Sequence, residues 1–152
     1  MTYLEQIGAL FNTRDVTITR ARIESYMCKV NEEGKWVVTI GTTPAATFTL
    51  VCMPGCCGIA ISTACTVATP FRGKGLGTLL NRMRMQMAYE LGYSVMLCTD
   101  VMNNTPQQLI LRKNKWMRLL QFDNRRTYNS ISLDWVPLSD TEQKLGFDVY
   151  AR

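Results

Sequence analysis

The sequence predicts a single α/β domain in which helices flank a mixed β-sheet. Its length of 152 residues, with 47% hydrophobic and 19% charged residues, is typical of one globular domain with a buried core. Apolar residues at helical spacing alternate along the chain with short β-branched runs. A glycine-rich segment, residues 72–77, joins one of these runs to a helix. We therefore expect one domain over residues 1–152.

The N-terminal half is predicted to form two helices and then three strands. Thr2-x-x-Glu5 is a capping box and opens the first helix. Apolar residues at helical spacing predict a second helix from about Thr17 to Val30. Alternating and β-branched runs between turn signals predict the strands. These strands cover Lys35–Ile40, Ala46–Cys52 and Ile59–Ala68.

The C-terminal half is predicted to alternate helices and strands. A central helix covers Gly75–Leu91 and ends at Gly92, since glycine adopts the left-handed cap conformation easily. Ser139-x-x-Glu142 predicts a final short helix that ends at Gly146. A strand, a short helix and an antiparallel hairpin lie between these two helices. Their predicted ranges are Ser94–Asp100, Pro106–Asn114, Trp116–Phe122 and Thr127–Val136.

The segment RGKGLG at residues 72–77 indicates a binding site for a phosphate or pyrophosphate. Its three glycines allow positive φ and a close approach of a ligand to the backbone. The amides in the first turn of the following helix have no partners inside the helix, and the helix dipole favours negative charge there. Arg72 and Lys74 add cationic side chains to the same segment.

The pattern around this segment indicates the kind of site. Neither the Gly-x-x-x-x-Gly-Lys-Ser/Thr loop nor the Gly-x-Gly-x-x-Gly fingerprint occurs there. Residues 67–80 follow Val-x-x-Pro-x-Arg-Gly-x-Gly-Leu-Gly-x-Leu-Leu. This pattern resembles the acetyl-CoA-binding motif of the GNAT superfamily of acyltransferases. The resemblance covers Ile59–Trp116, through a strand, Asn104 and a short helix, and Trp116 stands where the family usually has Phe.

The resemblance implies a mostly antiparallel sheet in which two central strands, ending near Val67 and Thr99, splay apart. In the family the glycine loop holds the pyrophosphate of acetyl-CoA, and the splay admits the pantetheine arm. The strand before the loop would contact the pantetheine, and the loop would contact the pyrophosphate. Carried over to this sequence, the cofactor contacts are Thr66, Val67, Arg72, Gly73, Lys74, Gly75, Gly77, Thr78 and Asn104.

The resemblance also implies transfer of an acetyl group to a primary amine by direct attack on the thioester, with small molecules or proteins as acceptors. Such a reaction needs an oriented thioester, a base and an acid. The family often supplies a Glu on the strand before the loop as base, and a Tyr seven residues after the Asn as acid. Here the strand Ile59–Val67 has no carboxylate, and Leu111 stands at the Tyr position.

Four other residues are candidates for the missing proton-transfer groups. Asp100 is the candidate base, because a carboxylate half-buried beside an apolar cleft has a raised pKa. Its alternative role is to cap a backbone amide at the start of a loop. Ser62, Cys65 and Tyr128 are further candidates, acting through water or as the acid. The chain has no histidine to activate a thiol, which disfavours Cys65 and Cys98 as nucleophiles.

The six cysteines predict neither a disulfide framework nor a metal site. The sequence contains no Cys-x-x-Cys pair, and without histidine a zinc site would need four cysteines at suitable spacing. Four of the cysteines lie on apolar faces and are expected to be small buried residues with reduced thiols. These are Cys28, Cys52, Cys65 and Cys98.

Charge and hydropathy favour an anionic ligand and no membrane partner. The net charge of +5 suits CoA, an acidic partner or weak contact with nucleic acid. No apolar run approaches the roughly 18 residues of a membrane span. The first residues include an acidic side chain and lack the basic region of a signal peptide. The cytoplasm is therefore the expected location.

Two alternative functions stay open at this point. The absence of the usual Glu and Tyr favours a catalytically silent GNAT fold that serves as a binding or assembly module. The positive charge, with Arg125 and Arg126 at the predicted hairpin tip, allows a GNAT-like enzyme that modifies nucleic acid. Steeply salt-dependent binding of DNA or RNA, lost when both arginines are replaced by alanine, would distinguish the second alternative.

Overall fold

Three α-helices and a seven-stranded sheet form the part of the chain that the computed structural model describes, residues 1–21 and 32–151. The helices are α1 (Tyr3–Leu10), α2 (Leu76–Glu90) and α3 (Thr105–Lys113). None of the three is long and apolar enough to cross a membrane. The strands are β1 (Val16–Ala21), β2 (Glu32–Ile40), β3 (Thr43–Cys52), β4 (Ile59–Val67), β5 (Val95–Val101), β6 (Met117–Asn124) and β7 (Asn129–Pro137).

The sheet is mixed and mostly antiparallel, as predicted. Its strand order is β1-β2-β3-β4-β5-β7-β6. Only β4 and β5 are parallel to each other, and every other neighbouring pair is antiparallel. The connection from β4 to β5 runs through α2, because parallel neighbours need a crossover rather than a hairpin.

The two parallel strands separate after a short stretch of pairing. Their register pairs Ile59 with Val95 and ends where Ile61 faces Leu97. Beyond that point β4 continues to Val67 and β5 to Val101 without pairing to each other. The splay that the family resemblance implied is therefore present, and it opens toward the end of β4 that leads into the glycine segment.

An apolar core of the described residues lies between the helices and the inner face of the sheet. From α2, the predicted stripe of leucines and methionines is buried, including Leu80, Met83 and Met87, which have no exposed area. From the sheet, Trp36 and Phe48 stack with ring centroids 5.9 Å apart. Burial of these side chains supplies the main favourable free energy of folding. The core thus fixes α2, and with it the glycine segment, against the sheet.

The second predicted helix, Thr17–Val30, is wrong where the structure describes it. Val16–Ala21 is strand β1, which pairs antiparallel with β2 from Val16 opposite Ile40 to Ala21 opposite Lys35. The run Val-Thr-Ile-Thr is rich in β-branched residues, whose side chains are restricted in a helix and pack well in a strand. Residues 22–30 of that prediction lie outside the described residues. The first helix and its capping box are confirmed.

The final predicted helix, Ser139–Gly146, is also wrong, since this segment is irregular. The Asp140 carboxylate accepts a hydrogen bond from the Glu142 amide at 2.9 Å, and Glu142 has a φ of 61°. Both features stop a helix. The carbonyls of Lys144 and Leu145 instead accept from the first amides of α1, at 3.0 and 3.2 Å. A long-range contact therefore replaces the local structure that the capping signal predicted.

Candidate functional site

The glycine segment forms a tight turn between β4 and α2. A single 3-10 turn at Thr69–Phe71 follows the strand, and Arg72 to Gly75 then lead into the helix at Leu76. Gly73 and Gly75 have φ values of 78° and 87°, in the left-handed region that favours glycine. A Cβ atom placed at either position would have no other atom within 4 Å. The space beside the turn is therefore open.

The backbone amides of this turn are available to a ligand. Gly75 is the N-cap of α2, and the first amide of this turn to bond inside the helix is that of Leu79, which donates to the Gly75 carbonyl at 3.2 Å. Within residues 1–21 and 32–151, no protein acceptor bonds the amides of residues 73–78. Arg72 and Lys74 are exposed beside them. Unpaired amides at a helix N-terminus with cations nearby are typical of an anion site.

A cavity of about 950 Å³ opens on this turn. It lies between the end of β4, the turn, α2 and the length of α3. Thr66 and Lys74, which the motif also assigns to the cofactor, do not line it. The motif residues that do line it are Val67, Arg72, Gly73, Gly75, Gly77, Thr78 and Asn104.

Three of these residues also have structural contacts of their own. A Cβ atom on Gly77 would lie 3.0 Å from Cδ1 of Ile110, so glycine at this position lets α2 and α3 approach closely. The Arg72 Nε donates to the Val67 carbonyl at 2.8 Å, which engages one of the strand groups expected to face the pantetheine. Asn104 is the N-cap of α3, and its side-chain oxygen accepts from the Gln107 amide at 3.4 Å.

A smaller cavity of about 300 Å³ lies in the splay between β4 and β5. It brings together three of the candidate catalytic residues, Ser62, Cys65 and Asp100. The fourth candidate, Tyr128, is 92% exposed in the turn between β6 and β7 and lines neither cavity. The two cavities adjoin, since they share lining residues. The shared residues are Cys65, Arg84, Asn104 and Gln107.

Asp100 is half-buried in the small cavity. Burial raises the pKa of Asp100 above its ordinary value, while hydrogen bonds from the Val101 amide and the Gln108 side chain oppose the shift. The negative charge of Asp134 raises it further. The Gln108 Nε2 lies 3.2 Å from the Asp100 Oδ2. A carboxylate with a raised pKa beside a cavity is suited to accept a proton near neutral pH.

Asp100 belongs to a hydrogen-bonded network that the sequence did not predict. Gln108 Nε2 also donates to the Ser132 hydroxyl at 3.0 Å, and that hydroxyl donates to Asp134 Oδ2 at 2.7 Å. Arg112 Nη2 completes the network through a 2.7 Å ion pair with Asp134 Oδ1. Polar residues at the inward, alternating positions 132 and 134 of β7 were the available signal.

The ion pair in this network is expected to stabilise the fold. Asp134 has no exposed area, whereas the Arg112 side chain is 39% exposed. Arg112→Met is expected to destabilise the protein by about 3 kcal/mol, because it leaves a buried carboxylate without its cation. Lys113→Met, at the exposed next residue, is the control and is expected to change stability little. Chemical denaturation measures both, and equal effects would show that the pair contributes no specific stability.

Three polar residues of α2 are buried, namely Asn81, Arg84 and Gln86. Asn81 is 2% exposed, and its side-chain oxygen accepts from Trp116 Nε1 and Asn114 Nδ2, both at 2.9 Å. Arg84 is also 2% exposed. Asn81 therefore joins α2 to the end of α3. Arg84 instead lines both cavities.

The cysteines of the described residues are free thiols in different environments. Cys98 is buried as expected, and burial together with the charge of Asp134 raises the pKa of Cys98 to about 12. A thiol with that pKa is not a nucleophile near neutral pH. Cys52 is half-buried. The expectation of burial is wrong for Cys65, which is exposed because it lines the cavities, and Cys28 lies outside the described residues.

No protein-family model and no curated protein matches this chain, but solved structures do. The IAA acetyltransferase from Bacillus cereus ATCC 14579 has a TM-score of 0.69 at 15% identity, covering 81% of this chain and 99% of that chain. A GNAT family acetyltransferase from Elizabethkingia anophelis with acetyl-CoA bound has a TM-score of 0.68 at 12% identity, covering 82% and 99%.

A third similar structure is the ribosomal-protein-S18-alanine N-acetyltransferase from Escherichia coli. Its TM-score is 0.64 at 11% identity, and the match covers 87% of this chain and 99% of that chain. Each match spans nearly the whole of the other protein, so the similarity extends over the complete architecture and is not limited to one motif. This chain has the fold of the GNAT acetyltransferases.

Proposed function

We propose that this protein binds acetyl-CoA and transfers the acetyl group to a primary amine. The observation that carries the proposal is the row of unbonded amides at the start of α2. These amides face a cavity that continues into the splay where Asp100 lies. An elongated ligand with an anionic part and a reactive end suits such a site. A structure with the same fold contains bound acetyl-CoA.

Binding uses the glycine turn for the diphosphate and the splayed strands for the pantetheine arm. The amides of residues 73–78 and the cations Arg72 and Lys74 hold the diphosphate. Beyond Ile61 and Leu97 the facing edges of β4 and β5 no longer pair with each other. Their free backbone groups form hydrogen bonds with the amides of the pantetheine arm, which is added as an extended segment in the manner of β-strand addition. The thioester then lies in the small cavity.

The reaction forms one bond and breaks one. The nitrogen of the amine attacks the thioester carbonyl carbon, a C–N bond forms, and the C–S bond breaks as the CoA thiolate leaves. The Asp100 carboxylate accepts the proton that the nitrogen loses and returns it to the thiolate. Placing both reactants in one cavity contributes about 7–11 kcal/mol to lowering the barrier when the geometry is near-attack. Proton transfer by Asp100 adds about 10²–10⁴-fold.

Thermal denaturation tests the binding step directly. Acetyl-CoA and CoA are expected to raise the melting temperature in a concentration-dependent way, because a ligand of the folded state stabilises it. The expected gain is about 2.7 kcal/mol at a ligand concentration 100 times Kd. ATP and NAD are the controls and should produce a smaller shift. No shift with either CoA form, or equal shifts with all four ligands, would contradict the proposed site.

A catalytically silent GNAT fold is the second candidate function. The observation that favours it is the position of Leu111, which is fully buried in the core and replaces the usual acid. β4 also contains no carboxylate. This candidate predicts a normal affinity for CoA without consumption of acetyl-CoA in the presence of many amines. Assay of free thiol release over a panel of amines separates the two candidates.

A further inference from the structure

Arg84 lies where the two cavities meet. It is on the inner side of α2, its side chain is 2% exposed, and it lines both the 950 Å³ and the 300 Å³ cavity. Its guanidinium carbon is 5.6 Å from the centroid of the Phe48 ring, which forms one wall of its environment. Arginine stays protonated at any pH that a protein experiences. A permanent positive charge is therefore buried at the junction of the cavities.

This charge has no protein acceptor in the part of the chain that the structure describes. Both Nε and Nη1 of Arg84 are buried without a hydrogen-bond partner. The two carboxylates of the region are engaged elsewhere, Asp134 with Arg112 and Asp100 with Gln108. A buried guanidinium without an acceptor is costly, and buried unsatisfied polar groups in folded proteins are rare. Such an exception calls for a ligand that supplies the acceptor.

We propose that Arg84 binds a carboxylate carried by one of the two substrates of this site. The inference rests on the proposed function and adds a substrate class to it. The planar guanidinium matches a carboxylate in a bidentate arrangement. The carboxylate has two chemical sources, an amine acceptor of the amino-acid class or an acyl donor derived from a dicarboxylic acid. Either source brings a negative charge into a cavity that already contains the carboxylate of Asp100. The positive charge of Arg84 offsets the repulsion between the two.

The test has two arms that separate the sources. In the acceptor arm, isothermal titration of the CoA-saturated protein compares amino acids with their own carboxamides, using alanine, glutamate and phenylalanine. In the donor arm, malonyl-CoA and succinyl-CoA are compared with butyryl-CoA. In one arm the carboxylate member is expected to bind about 10- to 100-fold more tightly than its neutral counterpart, the effect of a charge-assisted pair. No preference in either arm would overturn the proposal.

Variants connect this preference to Arg84. Arg84→Gln is expected to reduce the preference to near one, and Arg84→Lys to restore part of it. Arg82→Gln is the control, because Arg82 is exposed on the same helix and lines neither cavity. A preference that survives in folded Arg84→Gln would contradict the assignment. If Arg84→Gln does not fold, an Arg84→Lys variant with the same full preference as Arg82→Gln would contradict it.

The outcomes also distinguish this inference from the proposed function. A protein that binds CoA but shows no carboxylate preference retains the proposed function and loses the inference. A protein that does not bind CoA, but binds the carboxylate probes through Arg84 in titrations without CoA, retains the carboxylate site and loses the acetyl transfer. Each result therefore decides one of the two statements.

Discussion

Gly75→Val is expected to abolish measurable binding of acetyl-CoA without unfolding the protein. Gly75 has a φ of 87°, which a β-branched residue adopts only with strain of order 1–3 kcal/mol. The valine side chain would also occupy the open space beside the turn, where the diphosphate is proposed to lie. Relief of the strain would rotate the amides that follow. Isothermal titration with acetyl-CoA measures the loss.

A matched substitution at the other end of the same helix controls for strain alone. Gly92 follows α2, has a φ of 97°, and a Cβ atom there would have no other atom within 4 Å. Gly92→Val therefore imposes a comparable backbone cost, and Gly92 lines neither cavity. We expect similar losses of melting temperature in the two variants and loss of affinity only in Gly75→Val. Wild-type affinity in Gly75→Val would contradict the anion site.

Asp100→Asn is expected to lower kcat by about 10²–10⁴-fold while leaving the affinity for acetyl-CoA unchanged. Asparagine keeps an oxygen that accepts from Gln108 but cannot take a proton from the amine. Wild-type activity is expected to rise with pH through the raised pKa of Asp100, because the ionised form is the base. The variant should lack that limb of the pH–rate profile. Asp123→Asn, at an exposed position on β6, is the control.

Asp100→Asn is expected to lower activity but to raise the stability of the fold relative to wild type as pH rises. Because the pKa of Asp100 is raised in the folded state, the folded protein binds this proton more tightly than the unfolded chain. Stability from this group is therefore lost as pH rises from the ordinary aspartate value of 3.8 through the raised one. As pH rises across this interval, the melting temperature of Asp100→Asn is expected to increase relative to that of wild type. An unchanged difference at every pH would show that Asp100 titrates normally.

The sequence predicted the parts of the site that depend on local conformation. Glycines at residues 73 and 75 allow a turn with positive φ, and the apolar stripe of α2 predicts its buried face. The strand before the turn was predicted from its β-branched run. These features need only a few neighbouring residues, so pattern and spacing are sufficient to find them. The candidate base Asp100 was identified because it ends a strand beside the cleft.

The features that sequence reasoning missed depend on distant parts of the chain. Strand β1 is stabilised by pairing with β2, and the segment after Ser139 is held by the first amides of α1. Neither partner is visible in a local window. Arg84 and Asp134 carry charges that resemble those of surface residues until the helix and the strand are placed. Their burial is a consequence of packing, which the spacing of apolar residues alone does not specify.

The short pairing between β4 and β5 has a mechanical consequence. In the described sheet, a ladder of three residue pairs joins the antiparallel block β1–β4 to the block β5–β7–β6. This is the shortest ladder of the described sheet, and the helix α2 connects the two strands that form it. A ligand that forms hydrogen bonds with both free strand edges would extend the ladder and connect the two blocks. Occupancy should therefore stiffen the whole molecule, with slower amide exchange in both blocks.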